Sequence, residues 1–167
     1  MDDQAKKTAL RMIPYGIYVM TAKGADGELT AATVNWVTQT AFNPPLIVVG
    51  VKTDSGSYAA VKASRQFVLN VLGKGQQGAA FAFFKPAVAE DGKFSGEPYH
   101  GGANGLPILD NAAAALECRV REIVELGDHH IVVAEVIEAH VQRQPEGRAD
   151  EAVLEMKDLG ANVFYGG

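Results

Sequence analysis

Two β-forming runs, residues 114–126 and 129–142, follow one another with only Gly127-Asp128 between them. In the first, Leu116, Cys118 and Val120 alternate with Glu117, Arg119 and Arg121, the period of a strand with one buried and one wet face. Four more segments read as strands. Tyr15–Ala22 is rich in β-formers and ends at the turn Lys23-Gly24-Ala25-Asp26-Gly27. Residues 29–38 resume as a strand, and after the break at Asn43-Pro44-Pro45 the run Leu46–Val51 is continuously apolar, the mark of burial on both faces. Phe67–Leu72 is the last. Helical signals are short: residues 1–13, where Ala5, Ala9, Leu10 and Ile13 recur near helical spacing until Pro14 stops them; 54–64, opened by serines; and 76–85, stopped by Pro86. About six strands and two or three short helices around one core predict a mostly β fold, an antiparallel barrel with helices at its ends, in a single domain over residues 1–167.

Residues 87–111 break this pattern. Glycines 92, 96, 101, 102 and 105, with Pro98 and Pro107, leave little period of either kind, and the stretch reads as a long functional loop or lid. Residues 144–152 read as a polar turn, and 153–167 as a closing segment ending in Phe164-Tyr165-Gly166-Gly167. Internal repeats and interdomain linkers are absent.

Charge and cysteine content narrow the chemistry. Fifteen lysines and arginines against twenty acidic residues give a net charge of −5, which argues against nucleic acid as a general partner but leaves room for one anionic small molecule in a local pocket. A single cysteine, Cys118, forbids an intrachain disulfide and any thiolate cluster for zinc or iron–sulfur. The opening Met1-Asp2-Asp3-Gln4 is unlike a signal peptide, and no apolar run approaches the ~20 residues of a membrane span. The expected location is cytoplasmic, without membrane contact.

Four motifs are candidates for a site. Gly73-Lys74-Gly75-Gln76-Gln77-Gly78 is a literal G-x-G-x-x-G, yet the helix after it is short, no second apolar strand follows, and Glu90 and Asp91 fall in the glycine-rich stretch; a strand–helix turn explains it equally. Lys52-Thr53-Asp54-Ser55-Gly56-Ser57 follows a buried strand and opens a helix, combining backbone N–H groups, hydroxyls and a cation as a phosphate requires. Asp54 opposes that unless it points away or caps the helix, and capping alone accounts for Thr53, Asp54 and Ser55. Along 30–38, alternation puts Ala31, Thr33, Asn35 and Val37 on one face, small and partly polar enough for a flat ring, with a barrel strand's wet face as the plainer reading. In Gly127-Asp128-His129-His130 the two histidines point to opposite sides, and His140 lies roughly 33 Å along the strand, so shared metal binding is excluded. A single histidine beside the turn suits orienting a substrate or moving a proton, or is simply bonded to backbone. No nucleophilic serine has a credible acid and base, so hydrolase chemistry has no support.

Together these residues resemble a known family. TAATVNWVTQTAFNPPLIVVGVKTDSGSYAAVKASRQFVLNVL (30–72), then Lys93-Phe94 with Gly96, Gly105-Leu106-Pro107, Leu116-Glu117-Cys118 and GDHHIVVAEV (127–136), are similar to the flavin reductase-like family with the FMN-binding split barrel. Its members include small NAD(P)H:flavin oxidoreductases, flavoredoxins and the flavin domain of high-molecular-weight rubredoxins, and the likeness runs from about Tyr15 to the end of the chain. The resemblance implies a homodimer of six-stranded antiparallel split β-barrels, mostly β with short helices, with one FMN (FAD as the alternative) per subunit near the dimer interface. Carried over by position, Thr33, Asn35, Trp36, Val37 and Thr38 would lie along the isoalloxazine ring, Lys52, Thr53, Ser55 and Ser57 would hold the phosphate, and Phe94 and Tyr165 would line the ring. His129 would take the catalytic place near the nicotinamide or the outer face of the flavin. NAD(P)H would pass a hydride to flavin, and electrons would go on to free flavin, oxygen or a protein acceptor such as a monooxygenase. The other reading is a flavin-binding electron carrier without significant NAD(P)H activity.

Overall fold

A computed structural model describes residues 1–167. In chain order the strands of the main sheet are β1 (Tyr18–Lys23), β2 (Leu29–Val34), β3 (Val37–Ala41), β4 (Leu46–Lys52) and β5 (Gln66–Val71), then β10 (Ala114–Val124) and β11 (His129–Val141). Between these last two groups lie the short strands β6 (Ala89–Glu90), β7 (Lys93–Phe94), β8 (Glu97–Gly101) and β9 (Pro107–Leu109). The helices are α1 (Asp3–Arg11), α2 (Gly56–Ser64) and α3 (Gln77–Ala82), and two 3-10 turns cover Ala149–Ala152 and Met156–Leu159.

Seven strands form one antiparallel sheet in the order β2-β1-β5-β10-β11-β4-β3. Its two edge strands are consecutive in the chain, separated only by Asn35 and Trp36. The chain therefore steps from one edge to the other in two residues and curls the sheet into a split barrel. Gly50 N–H donates to Trp36 O at 2.8 Å and extends the β3–β4 ladder up to this corner. The six strands read from the sequence are all present; the seventh arises because the segment 29–38 is broken at this corner. That break also defeats the simple alternation expected along 30–38.

The curled sheet encloses a core around Met20, Val49, Phe67, Leu69 and Val132, capped by Tyr58 and Val61 of α2. A second cluster, with Ile17, Leu72, Phe83, Phe94 and Leu154, fills the other end. The stretch 87–111 is not a structureless lid. It forms a four-stranded sheet, β6-β7-β8-β9, tied to the barrel by Thr21 Oγ1–H donating to Pro107 O at 2.6 Å and Leu109 N–H donating to Asn70 Oδ1 at 2.8 Å. Strands of two to five residues are too short to show a period in sequence. The G-x-G-x-x-G segment is a turn filled by its own side chain: Gly73 N–H donates to Gln76 Oε1, and Gln76 Nε2 donates to Asn111 O, both at 2.6 Å. The following α3 is six residues long. Helix α1, capped by Asp2 accepting from Ala5 N–H, buries none of its residues. No helix is long and apolar enough to cross a membrane.

Alternation placed Glu117 on a wet face; it does stand opposite Leu116 and Cys118, on the face of Ala115 and Val68, but residues 102–106 cover that face and Glu117 is 0% exposed. It accepts from Ala103 N–H (3.1 Å), Asn104 N–H (2.9 Å) and His140 Nε2 (2.8 Å). Burial pushes this carboxyl up, but the bonds from Asn104, His140 and Ala103 outweigh it, and it lies below the usual carboxylate range. Glu117→Ala is expected to lower unfolding stability by about 2–3 kcal/mol in urea titrations. Because the folded value is depressed, the stabilisation is complete above the unfolded carboxylate range of about 4.3 and is lost as pH falls through the folded value. The difference between wild type and variant should therefore shrink below about pH 4.

Candidate functional site

The corner that closes the sheet also opens a cleft. About 340 Å³ of space lies where the end of β2, the end of β4, the β10–β11 turn and the closing segment meet. Register brings the functional side chains together, since β11 pairs with β4 so that His129 stands opposite Lys52. Gly50, two residues before Lys52, makes room for the Trp36 indole: a Cβ there would lie 3.1 Å from Trp36 Cε3.

Trp36, His129 and Tyr165 form an aromatic group on one wall, with ring centres 4.5 Å apart for Trp36–His129 and 5.4 Å for Trp36–Tyr165. Tyr165 O–H donates to His129 Nε2 at 2.7 Å, and His129 Nδ1–H donates to Asp128 Oδ1 at 2.9 Å. These partners fix the ring's orientation and tautomer. The bond to His129, and then its charge, hold Asp128 below the usual carboxylate range. Burial first, with help from Asp128 and Asp54 and against the pull of Lys52, raises the Tyr165 phenol. Asn35, 4% exposed, donates from Nδ2 to Tyr165 O at 3.2 Å. The Trp36 indole N–H is buried beside this wall with no acceptor at all.

At the cleft's other end α2 begins. Ser55 caps it, its Oγ accepting from Tyr58 N–H at 3.1 Å and donating to Lys52 O at 2.7 Å. Gly56 and Ser57, in the first turn, present N–H groups that the helix itself cannot satisfy. A Cβ on Gly56 would meet nothing within 4 Å, so space is open beside Gly56, whereas Ser57 is 4% exposed. Asp54 does not cap the helix; it holds Lys52 Nζ at 3.1 Å, and that hydrogen bond and charge raise the Lys52 ammonium above its ordinary value. This end could hold an anion, with one counter-charge for Lys52 already in place.

The structure thus gathers Thr33, Asn35, Lys52, Ser55, His129 and Tyr165 around the cleft, with Trp36 behind them and Ser57 in the first turn of α2. The Thr33 hydroxyl is spent on Ala80 O at 2.7 Å. Other candidates lie elsewhere. Thr53 turns its N–H and hydroxyl to Asp128 O, Val37 packs against the barrel core beyond the corner, and Thr38 is exposed on β3. Phe94 is 0% exposed, packed on Phe83 and Tyr99 in the second core cluster, and lines no part of the cleft. His130 points to the opposite face, with Nδ1 2.5 Å from the Tyr58 hydroxyl. Sequence reasoning missed Gly50, Asp128, Phe84 and Met156; the aromatic run ending at Phe84 before Pro86 was the one available signal. No three His, Cys, Asp or Glu side chains converge to hold a metal. Burial, with Glu117 adding, pushes the Cys118 thiol up to about 12, which makes it inert at neutral pH. The cleft suits a flat ring with an anionic tail: apolar walls, one amide donor and a cation beside a helix N-terminus.

Comparisons with known proteins find clear relatives of the chain. Residues 10–157 match the family model described as flavin reductase like domain. The chain is 31% identical to a flavin reductase of Pseudomonas putida over 86% of its own length and 83% of that protein's. It is 37% identical to the reductase component of 4-nitrophenol 4-monooxygenase/4-nitrocatechol 2-monooxygenase of Rhodococcus opacus, over 74% of this chain and 64% of that one. Among solved structures, the NADH:FAD oxidoreductase of Streptomyces globisporus superposes with a TM-score of 0.71 at 30% identity, covering 83% of this chain and 81% of that one.

The contact between Gly50 and Trp36 can be tested directly. Gly50→Ala places a methyl within 3.1–3.3 Å of the indole. It is expected to cost about 1–3 kcal/mol of stability and to shift the emission of the one tryptophan, Trp36, as the ring moves off His129.

Proposed function

This chain belongs to the flavin reductase-like family, and from that membership we propose that it is an FMN-binding oxidoreductase, with FAD as the alternative flavin, that accepts a hydride from NAD(P)H. The observation that carries the reading is the pairing, in one cleft, of an anion site at the α2 N-terminus with a ring-sized apolar wall. Two features of the wall fit a flat heteroaromatic ring. Its lining is largely apolar, with Ile17, Val34 and Phe84, and Asn35 supplies an amide at its edge.

When bound, flavin supplies hydride acceptance at N5 from nicotinamide C4, and no protein base is required for that step. The chain's own residues bind and orient. Lys52, Ser55 and the N–H groups of Gly56 and Ser57 hold the phosphate, and Thr33 and Asn35 border the ring. His129, steadied by Asp128 and Tyr165 and backed by Trp36, stands at the mouth where the nicotinamide approaches, positioning it and excluding water. The relative that serves as a monooxygenase's reductase component supports a protein acceptor for the electrons, beside free flavin and oxygen. The active form is a homodimer, consistent with the exposure of Phe42 (92%) in the turn after β3 and of Val141 (57%) at the end of β11.

An absorbance spectrum of the purified protein followed by anaerobic addition of NADH and then NADPH tests the whole reading. Flavin bands that bleach within seconds are expected. Bands that persist with both donors would instead identify an electron carrier, and a protein that cannot be loaded with flavin overturns the proposal. The double variant Lys52→Ala/Ser57→Ala is expected to weaken FMN binding at least about tenfold while leaving riboflavin, which lacks the phosphate, unchanged in fluorescence titrations. Equal loss for both ligands would remove the phosphate from this end of the cleft.

A further inference from the structure

A second cavity, of about 330 Å³, lies beside the cleft, between the residues leaving α1 and the closing segment. Its walls are flat and apolar, formed by the rings of Tyr15, Phe164 and Tyr165 with Ile13, Pro14 and Met156. Two cations and one carboxylate face it, and Lys157 is already paired with that carboxylate, Glu155. Arg11 has no acidic partner. Its Nε–H donates to Gly166 O at 3.2 Å and its guanidinium sits 4.2 Å from the centre of the Phe164 ring, which leaves its terminal N–H groups free.

The two cavities share the walls of Tyr165 and Met156. Residues 164–166 are therefore gripped from both sides: Asn35 and His129 bind Tyr165 from the cleft, while Arg11 binds Gly166 and Phe164 from the second cavity. We propose that the second cavity is a ligand site in its own right, taking a flat ring that carries a negative charge, and that its occupant is coupled to the cleft through Tyr165. The ring lies among the aromatic side chains, and the charge meets the planar guanidinium of Arg11, whose fork matches a carboxylate or phosphate. Such a ligand comes either from a free aromatic carboxylate or from the phosphate-bearing end of a purine nucleotide. An occupant that shifts Tyr165 changes what the cleft binds, and linkage requires the effect to be reciprocal.

The site is tested by amide chemical-shift titrations of the full chain, with and without saturating FMN, using 2-naphthoate, AMP and the neutral 2-naphthalenemethanol as probes. Shifts centred on Tyr15, Lys157 and Gly166, rather than on Gly50 and Lys52, locate a probe in the second cavity, so this outcome is independent of whether the cleft holds flavin. The expected result is saturable binding of 2-naphthoate or AMP there, at least about tenfold weaker for the neutral probe and for Arg11→Gln, with part of the loss recovered in Arg11→Lys. Tighter binding of AMP assigns the site to a nucleotide, and tighter binding of 2-naphthoate to an aromatic acid. No shifts at these amides, binding unaffected by Arg11→Gln, or Arg11→Lys no better than Arg11→Gln overturns the site. FMN affinity differing by at least about threefold between probe-free and probe-saturated protein is expected; equal affinity overturns the coupling.

Discussion

The molecule turns on the corner Asn35-Trp36, to which Gly50 N–H carries the β3–β4 ladder by donating to Trp36 O, between the two edge strands of the sheet. A seven-stranded antiparallel sheet with free edges would leave rows of backbone groups for another chain to pair with. Placing the edges two residues apart in sequence removes most of that exposure at the corner. The same corner bends Asn35 and Trp36 out of the regular ladder, and it is this departure that creates a concave wall. Closure of the barrel and formation of the cleft are one event, which explains why the glycine opposite Trp36 serves both.

The longest hairpin delivers the rest. Eleven residues of β10 and thirteen of β11 run back to back, and the register of β11 on β4 sets His129 against Lys52. A slip of one residue would exchange His129 for His130, which faces the far side and Tyr58. The register is held by burial of Val132 and Ala134 on one face and by the buried Glu117, which binds His140 of β11. A polar network far from the cleft thus supports the alignment on which the cleft depends.

Much of this was legible in the residues themselves. The apolar run Leu46–Val51 and the serine-opened helix after Lys52 each carry a local physical signature and appear where the sequence places them, whereas the turn read at Gly127-Asp128 is longer, because β10 stops at Val124. What escaped was long-range. Nothing in the alternation of 30–38 announces that the strand breaks at Asn35, because the break is imposed by sheet closure and not by a glycine or proline. Phe94 reads like a ring-lining aromatic until packing against Phe83 and Tyr99 takes it into the core. Glu117 reads as a wet-face residue because alternation gives its face correctly but cannot show that residues 102–106 fold over that face. The strands within 87–111 are shorter than the window over which periodicity can be recognised. Family resemblance supplied what local reasoning could not, the joint meaning of Lys52, His129 and Tyr165.

The pairing of Lys52 with Asp54 bears on how long any anion stays. The lysine's charge is met at 3.1 Å before a ligand arrives, so a phosphate gains only the difference between itself and the carboxylate it displaces, plus the partial charge of the helix end. When the ligand departs, Asp54 is at hand to take its place, and the empty site is never an isolated cation. Such a seat lowers the barrier to leaving as well as the depth of the well. An exposed pair of this kind contributes little, so the exchange of partners tunes the hold on an anion without deciding it.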